Sequence, residues 1–297
     1  MSSSKSNILF IINPISGGKK KTDLPTLIDQ YLDKEKFAPI YAFTEYVGHA
    51  AELTEEADKK NYDIIVAVGG DGTINEVASK LVHSDKVLAI VPFGSGNGLA
   101  RFLNIPLKAK KAIELINTGT TQTIDTAELN GKKFFNMAGM GFDAHLSSVF
   151  AGNKKRGLKS YVELGFKEIT TYKAQPYHIE IDGRAYDKDA FAISIANSSQ
   201  YGNNVYISPQ SSLTDGYLDV CIIHPISLVK LPVLAFQMIT AKTHQSSLVK
   251  IIRGKHINII RRAPDAVHLD GEPLQLGEQL EIKIVPASLK ILTSAIR

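Results

Sequence analysis

The feature that most constrains the fold is a change in the period of the apolar residues partway along the chain. In about the first 120 of 297 residues, short runs that are apolar nearly throughout (8–12, 37–43, 64–68 and 87–91) take turns with stretches of helical period (24–31, 49–60, 74–81 and 109–117). A run without polar alternation suits a strand covered on both faces. Strands that alternate with helices build a mostly parallel sheet, with right-handed crossovers and helices on both sides. Further along, the period drops to two. Tyr177, Ile179 and Ile181 alternate with polar residues, and so do Phe191, Ile193 and Ile195. The pattern returns at Leu218, Val220 and Ile222, at Ile257 and Ile259, and at Leu280, Ile282 and Ile284, with Gly, Asp and Pro between the runs. Such a series predicts an antiparallel sandwich or barrel, interrupted by helical stretches near 157–172 and 228–242. The expected fold is α/β followed by all-β: a three-layer α/β domain over 1–126 and an antiparallel β-sandwich over 127–288.

Composition narrows the class. Hydrophobic residues at 44% and charged residues at 22% are ordinary for a globular chain with a core and exclude a disordered one. Cys221 is the only cysteine, so it forms no internal disulfide, and its apolar run 218–223 predicts a buried strand thiol. The first apolar run, 8–12, is too short for a signal-peptide core, and no later stretch reaches the ~20 apolar residues of a membrane span. These features predict a soluble, cytoplasmic protein that meets a membrane only peripherally and transiently.

The net charge is +4, and the lysines cluster at 19–21, at Lys108, Lys110 and Lys111, and at Lys154, Lys155, Arg156 and Lys159. Each cluster suits a solvated face or attraction to phosphates and anionic head groups. Without aromatic interleaving or a reader motif they do not point to nucleic acid. The eight histidines lack metal-ligand spacing, which argues against zinc. Segment 225–236 is strongly apolar. It could cover the sandwich, dock at a bilayer or guide an acyl chain. An exposed sheet edge could pair two subunits as a homodimer.

Three glycine-bearing turns follow three of the early strands, where parallel sheets bind ligands. The first is Asn13-Pro14-Ile15-Ser16-Gly17-Gly18, which is not a P-loop. The second is Gly69-Gly70-Asp71-Gly72-Thr73-Ile74-Asn75-Glu76. Its glycines let the backbone approach a polyphosphate, and the helix expected to start near Thr73 aims its positive end there. A carboxylate among phosphate-binding glycines calls for a cation between them, so Asp71 suggests Mg2+. The third is Gly94-Ser95-Gly96-Asn97-Gly98-Leu99-Ala100, with two short polar side chains among its glycines. Later, Asp270 and Glu272 stand two apart in Leu269-Asp270-Gly271-Glu272-Pro273, a spacing that puts both on one strand face or lets both converge in a turn.

This ordered set resembles the catalytic domain of the diacylglycerol kinase family, which includes sphingosine kinases, ceramide kinases and bacterial lipid kinases. The family is related more distantly to NAD kinases. The resemblance extends through Gly139-Met140-Gly141-Phe142-Asp143, Lys159-Ser160-Tyr161 and Asp215-Gly216-Tyr217-Leu218-Asp219 to Pro273. It implies an NAD kinase-like first domain, with the tail 289–297 packing back on it, and a kinase that uses ATP and Mg2+.

In that reading Asn13, Pro14, Ile15, Ser16 and Gly17, then Thr44, then Gly70, Asp71, Gly72, Thr73, Ile74, Asn75 and Glu76, and finally Ser95, line the nucleotide. Glu272 accepts the proton of the acceptor hydroxyl with Asp270 in support, and Asp71 organises Mg2+ and the phosphates. A second, structural metal would lie on the carbonyls of Ser212 and Tyr217 and the side chain of Asp215. The acceptor is a membrane lipid, with diacylglycerol-type lipids ahead of sphingoid bases. Asp143 could face a sphingoid amine or cap a helix. The other readings are a kinase of a soluble metabolite such as NAD, and a non-catalytic lipid or nucleotide sensor.

Overall fold

The computed structural model describes residues 5–18, 23–152, 163–165 and 167–294. The chain divides into two units, Met1–Ile124 with Ala287–Arg297, and Asp125–Pro286.

In the first unit, β1 (Ser6–Ile12), β2 (Phe37–Phe43), β3 (Ile64–Gly69) and β4 (Val87–Pro92) form a parallel sheet in the order β2-β1-β3-β4. Between and after them run α1 (Leu24–Tyr31), α2 (His49–Asp58), α3 (Asp71–Leu81), α4 (Gly98–Phe102) and α5 (Ala109–Thr118). All of β3 is buried, with Ile65, Val66, Ala67 and Val68 at 0% exposure. Each such Ile or Val contributes about 1.5–3 kcal/mol of burial. Ile74, Val77, Ala78 and Leu81 lie on one stripe of α3 and are buried, the spacing a helix needs to cover a sheet.

The sequence reading treats 37–43 as a strand covered on both sides. β2 is instead an edge strand, with Ile40 at 43% and Phe43 at 45% exposure. Its residues are as apolar as those of β3, but it has a neighbour on one side only. The strand order reverses between β1 and β3, and in sheets of this kind ligands bind beyond the carboxyl ends at that reversal.

The second unit begins within β5 (Thr120–Leu129) and continues through β6 (Lys132–Phe134), β7 (Met137–Gly141) and α6 (Phe142–Ala151). Next come β8 (Gln175–Ile181), β9 (Arg184–Ala190), β10 (Ala192–Ala196), β11 (Gln200–Gly202), β12 (Val205–Tyr206) and β13 (Leu218–Ile223). The unit closes with α7 (Leu231–Ile239), β14 (Val249–Gly254), β15 (His256–Arg261), β16 (Asp265–Leu269), β17 (Glu272–Leu276) and β18 (Gln279–Thr293). The last residues of β18 re-enter the first unit, where Ile291 pairs in parallel with Leu88 of β4 and Lys290 meets Asp85.

One antiparallel sheet has the order β14-β13-β10-β7-β16-β17. The other runs from the first half of β18 through β15 and β8 to β9. Ile179, Ile257 and Ile282 of one and Ile193, Val220 and Val267 of the other share a core, as two period-2 sheets packed face to face must.

The alternation fails on β10 and β13, which are buried at every position. Their second face, with Ala192, Ala196, Cys221 and Ile223, packs against Leu234 of α7. Tight hairpins join β5 to β6, β8 to β9 and β16 to β17 through Asn130-Gly131, Asp182-Gly183 and Asp270-Gly271, and all six residues have positive φ. That conformation is what a two-residue type I′ turn demands and why Asn or Asp precedes Gly in each.

The helix expected at 228–242 is a 3-10 turn, Leu228–Lys230, followed by α7, and it ends before Ala241 at φ +55. Residues 157–162 and 166 of the helical stretch near 157–172, the Lys159-Ser160-Tyr161 motif and the lysine clusters at 19–21 and 154–159 lie outside the described residues. Lys110 and Lys111 both pair with Glu114 on the surface of α5.

Candidate active site

In the first unit the three glycine turns leave the carboxyl ends of β1, β3 and β4, and they touch backbone to backbone. A Cβ on Gly17 (φ +66) would collide with the carbonyl oxygen of Phe93. A Cβ on Gly94 would lie 2.8 Å from Cα of Gly70, and one on Gly70 would lie 3.2 Å from Cα of Gly94. Only glycine permits this convergence. Polar side chains tie the turns together. Asn13 Nδ2 donates to Thr73 Oγ1 at 3.0 Å and thereby joins the first turn to α3. Asn13 Oδ1 accepts from the N–H of Ile15.

Asp71, the first residue of α3, accepts from the N–H of Asn97 at 2.9 Å and of Gly98 at 3.0 Å, which joins the second turn to the third. Asn97 folds back on Gly94, accepting from its N–H at 2.8 Å and donating to its carbonyl at 2.7 Å. It is 5% exposed and serves the loop from within, while Ser95 is exposed.

α3 starts at Asp71 with Gly70 before it, two residues earlier than the sequence reading places it. Helix geometry leaves the N–H groups of this first turn without partners inside the helix, and the dipole is positive there. The arrangement is a cradle for phosphate oxygens. Its donors fit ATP, and Asp71 is the acid that a bound Mg2+ would find beside them.

The remaining expected nucleotide residues divide into two groups. Pro14, Ile15 and Ser16 belong to the first turn, with Ile15 83% exposed and Ser16 Oγ donating to the Asn13 carbonyl. Gly72 is in the open first turn of α3, and Thr44 continues β2 with its N–H on the Ile12 carbonyl. Ile74 and Glu76 act behind the turn. Ile74 is 2% exposed, so its side chain belongs to the core. Glu76 accepts from the N–H of Gly48 at 3.0 Å and of Ala50 at 3.1 Å, which caps the start of α2. Asn75 Oδ1 accepts from Ser79 Oγ one turn further along the helix.

In the second unit the β16–β17 hairpin carries Asp270 and Glu272. The Asp270 carboxylate accepts from the N–H groups of Phe135 (3.0 Å), Asn136 (2.8 Å) and Met137 (3.0 Å), and the Asp270 N–H donates to the Met137 carbonyl at 2.8 Å. A carboxylate so surrounded is a brace. Glu272 is exposed, and among the described residues no hydrogen bond or ion pair holds its carboxylate. Of the two, Glu272 is free to take a proton.

Next to this hairpin is a cluster that sequence reasoning missed. Ser194, Gly139 and His268 stand side by side on β10, β7 and β16. Asp143 Oδ2 accepts from Ser194 Oγ at 3.0 Å and lies 3.4 Å from both Tyr201 OH and His268 Nε2, while Ser194 and Tyr201 bond to each other. A Cβ on Gly139 would collide with both Asp143 and His268, so the glycine makes room for the pair. The Gly271 N–H points at His268 Nδ1 at 3.4 Å, so the cluster reaches the turn that presents Glu272. Asp143 is thus neither a simple helix cap nor an unpaired charge. The sequence pointed to Asp143 and the Gly139–Asp143 motif but not to Ser194, Tyr201 or His268, which only the register across three strands brings to them.

The second metal is expected on the carbonyls of Ser212 and Tyr217 and the side chain of Asp215, just before β13. Asp215 is paired with Arg253, and its other oxygen accepts from the Tyr217 N–H at 3.0 Å. Arg253 also meets Asp219 at 3.3 Å and lies over the Tyr217 ring. Among the described residues no group of three His, Cys, Asp or Glu side chains is placed to hold a metal.

Comparison with known proteins agrees with this anatomy. Residues 7–129 match the family described as "Diacylglycerol kinase catalytic domain", and residues 136–293 match "YegS C-terminal NAD kinase beta sandwich-like domain". The "Probable lipid kinase YegS" of Escherichia coli O6:K15:H31 (strain 536 / UPEC) is 32% identical over 294 residues, covering 95% of this chain and 94% of that protein. "Uncharacterized protein sll0036" of Synechocystis sp. is 30% identical over 302 residues, covering 95% of this chain and 69% of that protein. A crystal structure described as that of "a diacylglycerol kinases from Bacillus anthracis str. Sterne" superposes with a TM-score of 0.72 at 20% identity, covering 99% of this chain and 98% of that one, a likeness of fold.

Proposed function

Because the chain belongs to the YegS-type lipid kinase family, with a diacylglycerol kinase catalytic domain, we propose that it transfers the γ-phosphoryl group of ATP to the hydroxyl of a membrane lipid, diacylglycerol-type lipids ahead of sphingoid bases. The observation that carries this reading is the backbone convergence of the three glycine turns at the carboxyl ends of β1, β3 and β4.

Phosphoryl transfer asks the protein chiefly for positioning and electrostatics. The first turn of α3, at the positive end of the helix, holds the phosphates. Asn13 and Asp71 keep the turns in register. Magnesium, when bound, would be held at Asp71 and would offset phosphate charge. Glu272 accepts the proton of the lipid hydroxyl as the new P–O bond forms and the bond from the γ-phosphorus to the β,γ-bridging oxygen breaks, with ADP leaving. Asp270 fixes the hairpin through its three N–H contacts and does not itself take the proton. Asp143 is already shared among Ser194, Tyr201 and His268, which makes it a poor partner for a sphingoid amine and favours an uncharged glycerolipid head.

The test is incubation with γ-labelled ATP, Mg2+ and mixed micelles that each hold one lipid: diacylglycerol, monoacylglycerol, sphingosine or ceramide. Label is expected in diacylglycerol, and Asp71→Ala and Glu272→Gln abolish it. Label in sphingosine alone would replace the acceptor. Label in NAD and in no lipid would remove the lipid reading.

A further inference from the structure

The helix α7 is built the wrong way round for a helix in water. Its inner side is thin: Leu234 is 6% exposed, and Met238 and Ile226 pack against the cluster around Cys221 and Val249. Its outer side is apolar. Leu228 is 55% exposed, Val229 86%, Val233 52%, Phe236 62% and Ile239 63%. From Pro225 to Thr240 the one charged residue is Lys230. A surface helix ordinarily turns its polar face outward, and a contiguous apolar patch on a folded chain marks a surface that another body covers.

Charge says which body. Between Asp219 and Asp265 the chain has no Asp or Glu, yet it carries Lys230, Lys242, Lys250 and Lys255 among its cations. Lys230 and Lys242 flank α7, both are exposed, and neither meets a carboxylate among the described residues. An apolar face flanked by lysines at both ends, in an acid-free segment, is the pattern of an element that lies in the plane of an anionic interface, with its apolar side chains at the acyl boundary and its lysines among head-group phosphates.

We propose that the outer face of α7, together with the 3-10 turn at Leu228–Lys230, seats this protein on an anionic lipid bilayer. The proposal rests on the reading that the acceptor is a membrane lipid, and it names the element that brings the enzyme to it. A second copy of the chain is a weaker occupant. A helix of nine residues spans about 14 Å, far short of the ~800 Å² per partner of a stable interface. Two copies meeting through this face about a two-fold axis would also bring lysine toward lysine.

The experiment measures co-sedimentation of the full chain, without ATP, on vesicles of mixed phosphatidylglycerol and phosphatidylcholine and on vesicles of phosphatidylcholine alone. Wild type is expected on the mixed vesicles only. Val233→Asp with Phe236→Asp should weaken that partitioning by about tenfold or more, and Lys230→Glu with Lys242→Glu by severalfold, with loss at high salt. The replaced side chains are exposed, so an unchanged Tm checks that the variants are folded.

Phosphorylation of a short-chain diacylglycerol in detergent micelles is read separately and should be the same in wild type and variants. That separates the two readings: lost vesicle binding with retained micelle turnover supports the docking face, and no turnover on any lipid with intact vesicle binding strikes only the kinase reading. Vesicle binding that the variants do not change overturns the proposal. So does failure of wild type to bind, equal binding to phosphatidylcholine, or a change of oligomeric state in place of a change in vesicle binding.

Discussion

Two acidic turns, one in each unit, look alike in sequence and use their acids in opposite ways. In Gly70-Asp71-Gly72 the aspartate accepts from the N–H groups of Asn97 and Gly98, and the glutamate downstream, Glu76, is also taken, by the N–H groups of Gly48 and Ala50. In Asp270-Gly271-Glu272 the aspartate again accepts from backbone, at Phe135, Asn136 and Met137, but the glutamate stays exposed and unheld. A third turn, Asp182-Gly183-Arg184, has the same hairpin and the same bracing, with Asp182 on the N–H groups of Lys255 and His256, and an arginine where Glu272 would be. An aspartate before glycine in this protein is therefore a way of fastening one segment to another. Of these acids Glu272 alone is held by no hydrogen bond or ion pair among the described residues, which fits it to the proposed proton transfer.

The largest test of that contrast is Glu272→Gln. It should lower the turnover of lipid by about 10²- to 10⁴-fold, the usual worth of a positioned base, with Tm unchanged. A loss of Tm equal to that of Asp270→Ala would erase the distinction between base and brace.

Next in size, Asp270→Ala leaves buried N–H groups without an acceptor and should cost about 1–3 kcal/mol in denaturant unfolding. The same change at Asp182, whose contacts are exposed to water, should cost less. Equal losses at the two would show that the hairpins are braced alike, and the number of N–H contacts would then not be the measure. Third, Glu76→Gln should cost about 0.5–2 kcal/mol through the start of α2, with little effect on KM for ATP, since its carboxylate faces that helix. A large rise in KM at unchanged stability would return Glu76 to the nucleotide.

The smallest effect concerns pH. Burial pushes the Cys221 thiol up, so the native chain keeps its proton where the unfolded chain loses it. Above about pH 8.5 the unfolded state binds fewer protons at this site, and stability falls as pH rises. Cys221→Ala should flatten that slope slightly, and the native thiol should resist alkylation until the chain unfolds.

Much of this was legible along the chain. The all-apolar runs place β1, β3 and β4, the helical periods place α1, α2, α3 and α5, and the Asn-Gly and Asp-Gly pairs mark the three tight hairpins. The glycine turns and the Asp270-Glu272 pair stand out because their residue types are rare outside such roles. β2 misled because an apolar run does not say how many neighbours a strand has. β10 and β13 misled because period two assumes one wet face, and α7 with its surroundings covers the second. The pairing of Asp215 with Arg253 left no mark in the sequence, because Arg253 arrives from β14, 38 residues from Asp215.

What the sequence determined by itself is local: which segments are strand or helix, where the turns must be, and which acids are candidates. The tertiary structure decided which of those acids is free. That choice depends on backbone N–H groups brought from elsewhere in the chain, Asn97 to Asp71 across 26 residues and Asn136 to Asp270 across 134. A backbone donor is carried by every residue but proline, so its presence leaves no mark in the sequence. Only its position after folding makes one carboxylate a brace and leaves Glu272 able to take a proton.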